Sequence, residues 1–188
     1  MMKRVFILAA TALTLATSLF AAELGDDGLH KTPWMRNTFK DLREDLAEAT
    51  SEGRRMMILI EQRGCIYCTK MHEEIYPRPE IDLLLNEAFY TVQINMFGDT
   101  EVTDFDGEVL SEKEAVMKWG SMFTPTILFM PEEVGDGLSA NDAAVAYVPG
   151  ALGGSMFLNM LNWVLEHGYE SGENFQKYHA RIFMGQDQ

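Results

Sequence analysis

The chain has 188 residues, 47% of them hydrophobic, enough to bury one substantial core, and nothing in the length calls for a second domain. A formal charge of −14 and a pI near 4.6 leave no basic stripe for nucleic acid and disfavour acidic membrane surfaces, so no nucleic-acid partner is expected. The charge itself is read as serving solubility.

At the start, Met1-Met2-Lys3-Arg4 precedes an apolar stretch from Val5 to Phe20 interrupted by Thr11, Thr14, Thr17 and Ser18. Ala21-Ala22 then leads into polar sequence. A basic n-region, a short h-region and small residues make a secretory signal peptide over residues 1–22, with cleavage near Ala22 and a single domain over 23–188. A membrane span needs roughly 20 predominantly apolar residues, slightly more than this run supplies, and an uncleaved anchor is the alternative. No cysteine follows the run, so a lipid-modified N-terminus is not available. The expected location is the periplasm.

Past a polar lead from Glu23 to Lys31, Thr38 stands as N-cap with Asp41 three residues on. Phe39, Leu42, Leu46 and Ala49 recur at helical spacing, and Gly53 stops that helix. Met56 to Ile60 is a continuous apolar run bounded by charges, the pattern of a central strand covered on both faces. A helix then runs from Cys68 to Ile75, where Pro77 and Pro79 interrupt it, and Glu80 to Ala88 forms another helical piece.

Phe89 to Phe97 reads as a strand, and Val102 to Leu110 as a small hairpin turning at Asp106-Gly107. Ser111-Glu112-Lys113-Glu114 is a capping box that opens a helix ending at Gly120. Strands follow over Thr126 to Met130 and Ala143 to Val148, joined by a Gly- and Asp-rich turn. The last predicted helix runs from about Gly154 to the Gly168 stop, and Phe175, Tyr178 and Ile182 are expected to pack the tail back on the body. This order of elements is that of a thioredoxin fold, an α/β arrangement with a central mixed sheet and helices on both faces.

Cys65 and Cys68, the only cysteines, sit in Arg63-Gly64-Cys65-Ile66-Tyr67-Cys68 at a strand-to-helix junction. A helix N-terminus lowers the pKa of the first thiol and supplies a nucleophilic thiolate. Cys65 is therefore the expected attacking sulfur, exposed at the helix start, and Cys68, one turn on, the resolving thiol. In an exported protein such a pair is either a crosslink or a working redox couple. So short a loop removes little chain entropy, which favours the working couple.

Haem attachment would need His where Thr69 stands, and a closed zinc site needs four ligands. A copper(I) module or metallochaperone using Cys65, Cys68 and either His72 or Met71 remains an alternative. Arg63 and Lys70 are candidates for favouring the Cys65 thiolate by charge, with plain surface placement as the other reading.

The segment from about Phe39 to Phe183 resembles the exported thioredoxin-related proteins of the SoxW type. The resemblance rests on Glu61-Gln62-Arg63-Gly64-Cys65-Ile66-Tyr67-Cys68 with Met71-His72, on Phe123-Thr124-Pro125-Thr126, and on Val148-Pro149-Gly150. It implies a cis peptide before Pro125, with Thr124 beside Cys65 where its backbone pairs with an extended substrate, and Ile66 and Tyr67 bordering that site.

The same resemblance implies a reductase of exported protein disulfides, with a sulfur-carrier protein as one candidate substrate, fed by a membrane thiol-electron donor. No organic cofactor is needed beyond the redox-active disulfide Cys65-Cys68. A disulfide oxidase or isomerase is the alternative direction. Leu59 stands where thioredoxin keeps a buried aspartate. Glu61 is the nearest carboxylate and has two readings, a substitute proton acceptor or a solvated strand-end carboxylate.

Overall fold

The computed structural model describes residues 23–185. The signal peptide expected over residues 1–22 lies outside them. The strands are β1 (Glu23–Leu24), β2 (His30–Lys31), β3 (Met35–Arg36), β4 (Arg55–Glu61), β5 (Phe89–Asn95), β6 (Glu101–Thr103), β7 (Val109–Ser111), β8 (Thr126–Phe129) and β9 (Ala146–Pro149). The α-helices are α1 (Leu42–Ser51), α2 (Ile66–Lys70), α3 (Pro79–Glu87), α4 (Glu112–Lys118), α5 (Ala140–Ala143), α6 (Gly154–Leu165) and α7 (Phe175–Gly185).

A five-stranded mixed sheet, in the order β3-β5-β4-β8-β9, forms the centre. β3, β5 and β4 run parallel, and β8 and β9 complete the sheet antiparallel. Side chains alternate across a strand, and β4 shows the consequence. Met57 and Leu59 enter one core with Met71 and Ile75, which follow α2, and with residues of α3 and α6, while Met56, Ile58 and Ile60 enter the opposite core with residues of α1 and α4. All seven residues of β4 are buried, as a strand covered on both faces requires. Burying a side chain the size of Phe157 or Leu128 contributes roughly 1.5–3 kcal/mol, so these two layers supply most of the stabilisation.

The differences from the sequence reading have local causes. Asp41, not Thr38, caps α1, its carboxylate accepting from the backbone N–H of Arg43 and Glu44. Lys40 adopts a left-handed φ of 60°, so helical geometry starts only beyond it, and Phe39 projects into solvent at 97% exposure. Thr38 instead donates to Asp45 Oδ2.

β5 stops at Asn95 rather than Phe97 because the Asn95 side chain accepts from Phe97 N and its carbonyl from Gly98 N, turning the chain. The strand expected from Ala143 begins at Ala146. Residues 140–143 form α5, capped by Ser139 and held by a bond from Ala140 N to Asp104 Oδ1. The capping box at Ser111 and Glu114 forms as read. The polar lead is an antiparallel β1–β2 hairpin, and α7 brings buried Tyr178 with Phe175 and Ile182 onto the core. Among the described residues no helix is long and apolar enough to cross a membrane.

Candidate functional site

β4 ends at Glu61, and Gln62 to Gly64 carry the chain to the start of α2. Gly64 holds φ at +72°, a conformation costly for other residues, and so turns the chain sharply into the helix. Cys65 is the N-cap of α2 and is disulfide-bonded to Cys68, with a Cα–Cα distance of 5.2 Å. Cys65 Sγ also accepts from the backbone N–H of Cys68 at 3.0 Å. A donor already aimed at this sulfur is suited to stabilise it once the bond opens and it carries charge.

The expectation of an exposed Cys65 is corrected. It is 6% exposed in the bridged form and Cys68 1%. The side chains between them are the exposed ones, Ile66 at 74% and Tyr67 at 58%.

Beside the disulfide lies an open cleft of about 670 Å³ lined by Gln62, Tyr67, Lys70, Met122, Phe123, Thr124 and the loop from Pro149 to Gly153. The Thr124–Pro125 peptide is cis. Two hydrogen bonds hold this loop: Thr126 Oγ1 donates to Phe123 O at 2.7 Å, and Gly150 N donates to Pro125 O at 2.7 Å. Met122 and Phe123 remain exposed, so the cleft has an apolar rim with Lys70 at its edge. Ile66 is not among the cleft-lining residues. Met122 and Phe123 were not singled out in the sequence as site residues, although Phe123 falls within the Phe-Thr-Pro-Thr segment.

Glu61 is not a solvated carboxylate. It is 1% exposed on the same sheet face as Met57 and Leu59, and it accepts from Gln93 Nε2 at 2.7 Å and from His72 Nε2 at 3.0 Å. His72, four residues after Cys68, is fully covered. Its ring stacks on His30 with centroids 4.5 Å apart and meets Tyr76 edge-on. Burial, reinforced by the Glu61 charge, holds the Tyr76 hydroxyl well above its ordinary pKa.

Leu59 is fully buried in the apolar core. Met71 is also a core residue, the plain reading of that methionine. Arg63 is turned toward the N-terminal hairpin, donating to the carbonyls of Asp26 and Asp27. Among the described residues no group of three or more His, Cys, Asp and Glu side chains is placed to hold a metal ion.

Comparison with known proteins is consistent with this geometry. Residues 42–164 match the family model described as a thioredoxin-like domain. A thioredoxin-fold protein from Helicobacter pylori superposes with a TM-score of 0.55 at 16% identity, over 70% of this chain and 81% of its own. A thioredoxin from Thermus thermophilus gives 0.53 at 22% identity, over 71% of this chain and 90% of its own. At these identities the likeness is one of fold. No curated protein sequence matches this chain significantly.

Proposed function

The chain belongs to the thioredoxin-like family, and from that premise we propose that it is an exported thiol-disulfide oxidoreductase that reduces disulfides of periplasmic proteins. The observation that carries this reading is the Cys65–Cys68 disulfide at the head of α2, beside a cleft that reaches Thr124 of the cis-proline loop. Cys65 is the nucleophile and Cys68 the resolving thiol. Thr124 and Pro125 receive the substrate backbone, and Tyr67 borders it, with Ile66 exposed outside the cleft.

In the forward direction the Cys65 thiolate attacks one sulfur of a substrate disulfide, forming a mixed disulfide and releasing a substrate thiolate that takes a proton from solvent. Cys68 then loses its proton and attacks Cys65 Sγ. The bond to substrate breaks, the second substrate thiol leaves, and the internal disulfide is restored. The cycle closes when a thiol donor, a membrane carrier in the SoxW-like reading, returns two electrons and the pair becomes a dithiol.

The test is equilibration of the purified protein in glutathione buffers, with alkylation and mass measurement of the thiols, alongside an insulin-type reduction assay. Reversible cycling with turnover is expected. A pair that never opens refutes the function, and a strongly oxidising equilibrium refutes the reductase direction while leaving exchange chemistry in place.

A further inference from the structure

Tyr67 and Lys70 stand three residues apart on α2, a spacing that puts them on one face of the helix, and both line the cleft beside the disulfide. Every other lining residue is uncharged, from Gln62 through Met122, Phe123 and Thr124 to the loop ending at Gly153. Lys70 is therefore the one charged side chain on this surface.

The chain has 29 aspartates and glutamates against 15 lysines and arginines, and most of the cations among the described residues are ion-paired. Lys70 is exposed and forms no ion pair among the described residues. Glu73 and Glu74 stand three and four residues further along the same helical stretch, yet neither reaches it. A lysine N-terminal to its glutamate is the poorer orientation for such a pair, because both charges then oppose the helix dipole.

Arg78 repeats the pattern at the Gly153 end of the cleft. Its Nε donates to Glu74 O at 3.1 Å, and its guanidinium lies over Gly154, where a Cβ would stand 1.9 Å from Nη1. It too forms no ion pair among the described residues. No acidic residue occupies the first turn of α6, and Gly153 caps that helix without a side-chain acceptor. An apolar cleft is thus flanked by two cations that lack a counter-charge, on a chain of formal charge −14.

Building on the oxidoreductase reading, we propose that the cleft selects protein disulfides set in acidic segments. The occupant is an extended stretch of the substrate protein that lays an apolar side chain against Tyr67, Met122 and Phe123 and gives a carboxylate to Lys70. Lys70 follows Cys65 by five residues, about 7–8 Å along a helix axis, the length of roughly two extended residues. The selected carboxylate accordingly lies about two residues from the reactive cysteine. Arg78, further along, serves acidic residues beyond it. The acidic body of the protein does not cancel this choice, because charges more than about 8 Å away are screened at physiological salt while contact pairs are not.

Three disulfide-linked peptide dimers test the proposal. They share a leucine beside the cysteine and differ only in carrying Glu, Gln or Lys two residues from it. Rates of reduction by the reduced protein are divided by the rates with dithiothreitol, which removes the intrinsic effect of the charge on disulfide reactivity.

The parent should reduce the Glu peptide about fivefold faster than the Lys peptide, with Gln between them, and the preference should shrink as salt is raised. Lys70→Met should remove most of the preference, Lys70→Glu should reverse it, and Arg78→Met should weaken it. All three change exposed positions. Should Arg78→Met fail to fold, the two Lys70 variants carry the test.

The glutathione equilibrium, to which docking does not contribute, should move by less than about twofold in Lys70→Met at 0.15 M salt. A larger shift would make Lys70 a stabiliser of the Cys65 thiolate and overturn the docking role. Equal rates for the three peptides, a preference for the Lys peptide, or an unchanged preference in Lys70→Met overturns the proposal while leaving the oxidoreductase reading intact. A parent that opens none of the peptides and never cycles with glutathione refutes that reading itself.

Discussion

The backbone N–H of Cys68 donates to Cys65 Sγ at 3.0 Å, across the small ring that the disulfide closes. Because this donor belongs to the backbone it survives a change of side chain at position 68, whereas the sulfur at 65 has no substitute. Cys65→Ser is expected to abolish turnover. Cys68→Ser should keep the attacking thiolate and accumulate a mixed disulfide with the partner protein, visible as a thiol-sensitive band on non-reducing gels. Equal insulin-reduction rates for Cys65→Ser and the parent would refute the assignment.

Met122 and Phe123 form an exposed apolar rim on the cleft, at 77% and 60% exposure. Exposed substitutions move stability by roughly 0.5 kcal/mol or less, while apolar contacts at the centre of an interface carry much of its energy. Met122→Asp and Phe123→Asp should therefore lower kcat/KM for protein disulfides by about tenfold and leave the glutathione equilibrium unchanged. A parallel loss in both assays would place these residues in the redox chemistry instead of substrate docking.

Asp45 is buried on α1, with the carboxylates of Asp41, Glu44 and Glu48 acting on it. Burial raises its carboxyl pKa to about 6; the hydrogen bond from Thr38 opposes the rise and the three acidic neighbours add to it. The folded state thus binds this proton more tightly than the unfolded chain, and stability falls as pH rises from about 4 through about 6. Asp45→Asn should stabilise the protein at pH 7 by about 1 kcal/mol, after allowance for solvent screening, and have little effect at pH 4. Urea unfolding at the two pH values measures this, and equal effects at both would contradict it.

Asp104 is fully buried and gathers Trp119 Nε1 at 2.9 Å, the backbone N–H groups of Phe105 and Ala140, and Lys118 Nζ at 2.9 Å. Burial works against the Lys118 charge, but hydrogen bonds to Asp106, Asp104 and Glu108 outweigh it and hold the ammonium above its ordinary range. Asp104→Ala strands several buried donors at once and should cost about 3–5 kcal/mol in denaturant unfolding. Asp104→Asn, which keeps one acceptor, should cost less. A neutral alanine variant would show that the site relaxes or admits water.

Much of this was legible locally. The run from Met56 to Ile60, the capping box at Ser111 and Glu114, and the Cys-x-x-Cys spacing are patterns in which neighbouring residues decide the outcome. The helix start differs from the sequence pattern because a single left-handed φ at Lys40 puts the cap at Asp41 instead of Thr38. The β1–β2 hairpin and β3 leave no local signature because two-residue strands are too short to show a period.

The sequence by itself determined the fold and the cysteine pair. Two thiols at this spacing, at a strand-to-helix junction and with Thr-Pro-Thr downstream, point to the thioredoxin-like fold and to the thiol-disulfide exchange proposed above. Only the tertiary structure decided the environment of that pair. Glu61 is buried because the parity of β4 aims it onto the face it shares with Met57 and Leu59, where His72 and Gln93 bond it from other elements and His30 stacks on His72. Burial and charge pairing depend on which segments meet in space, and no local pattern around residue 61 records that meeting.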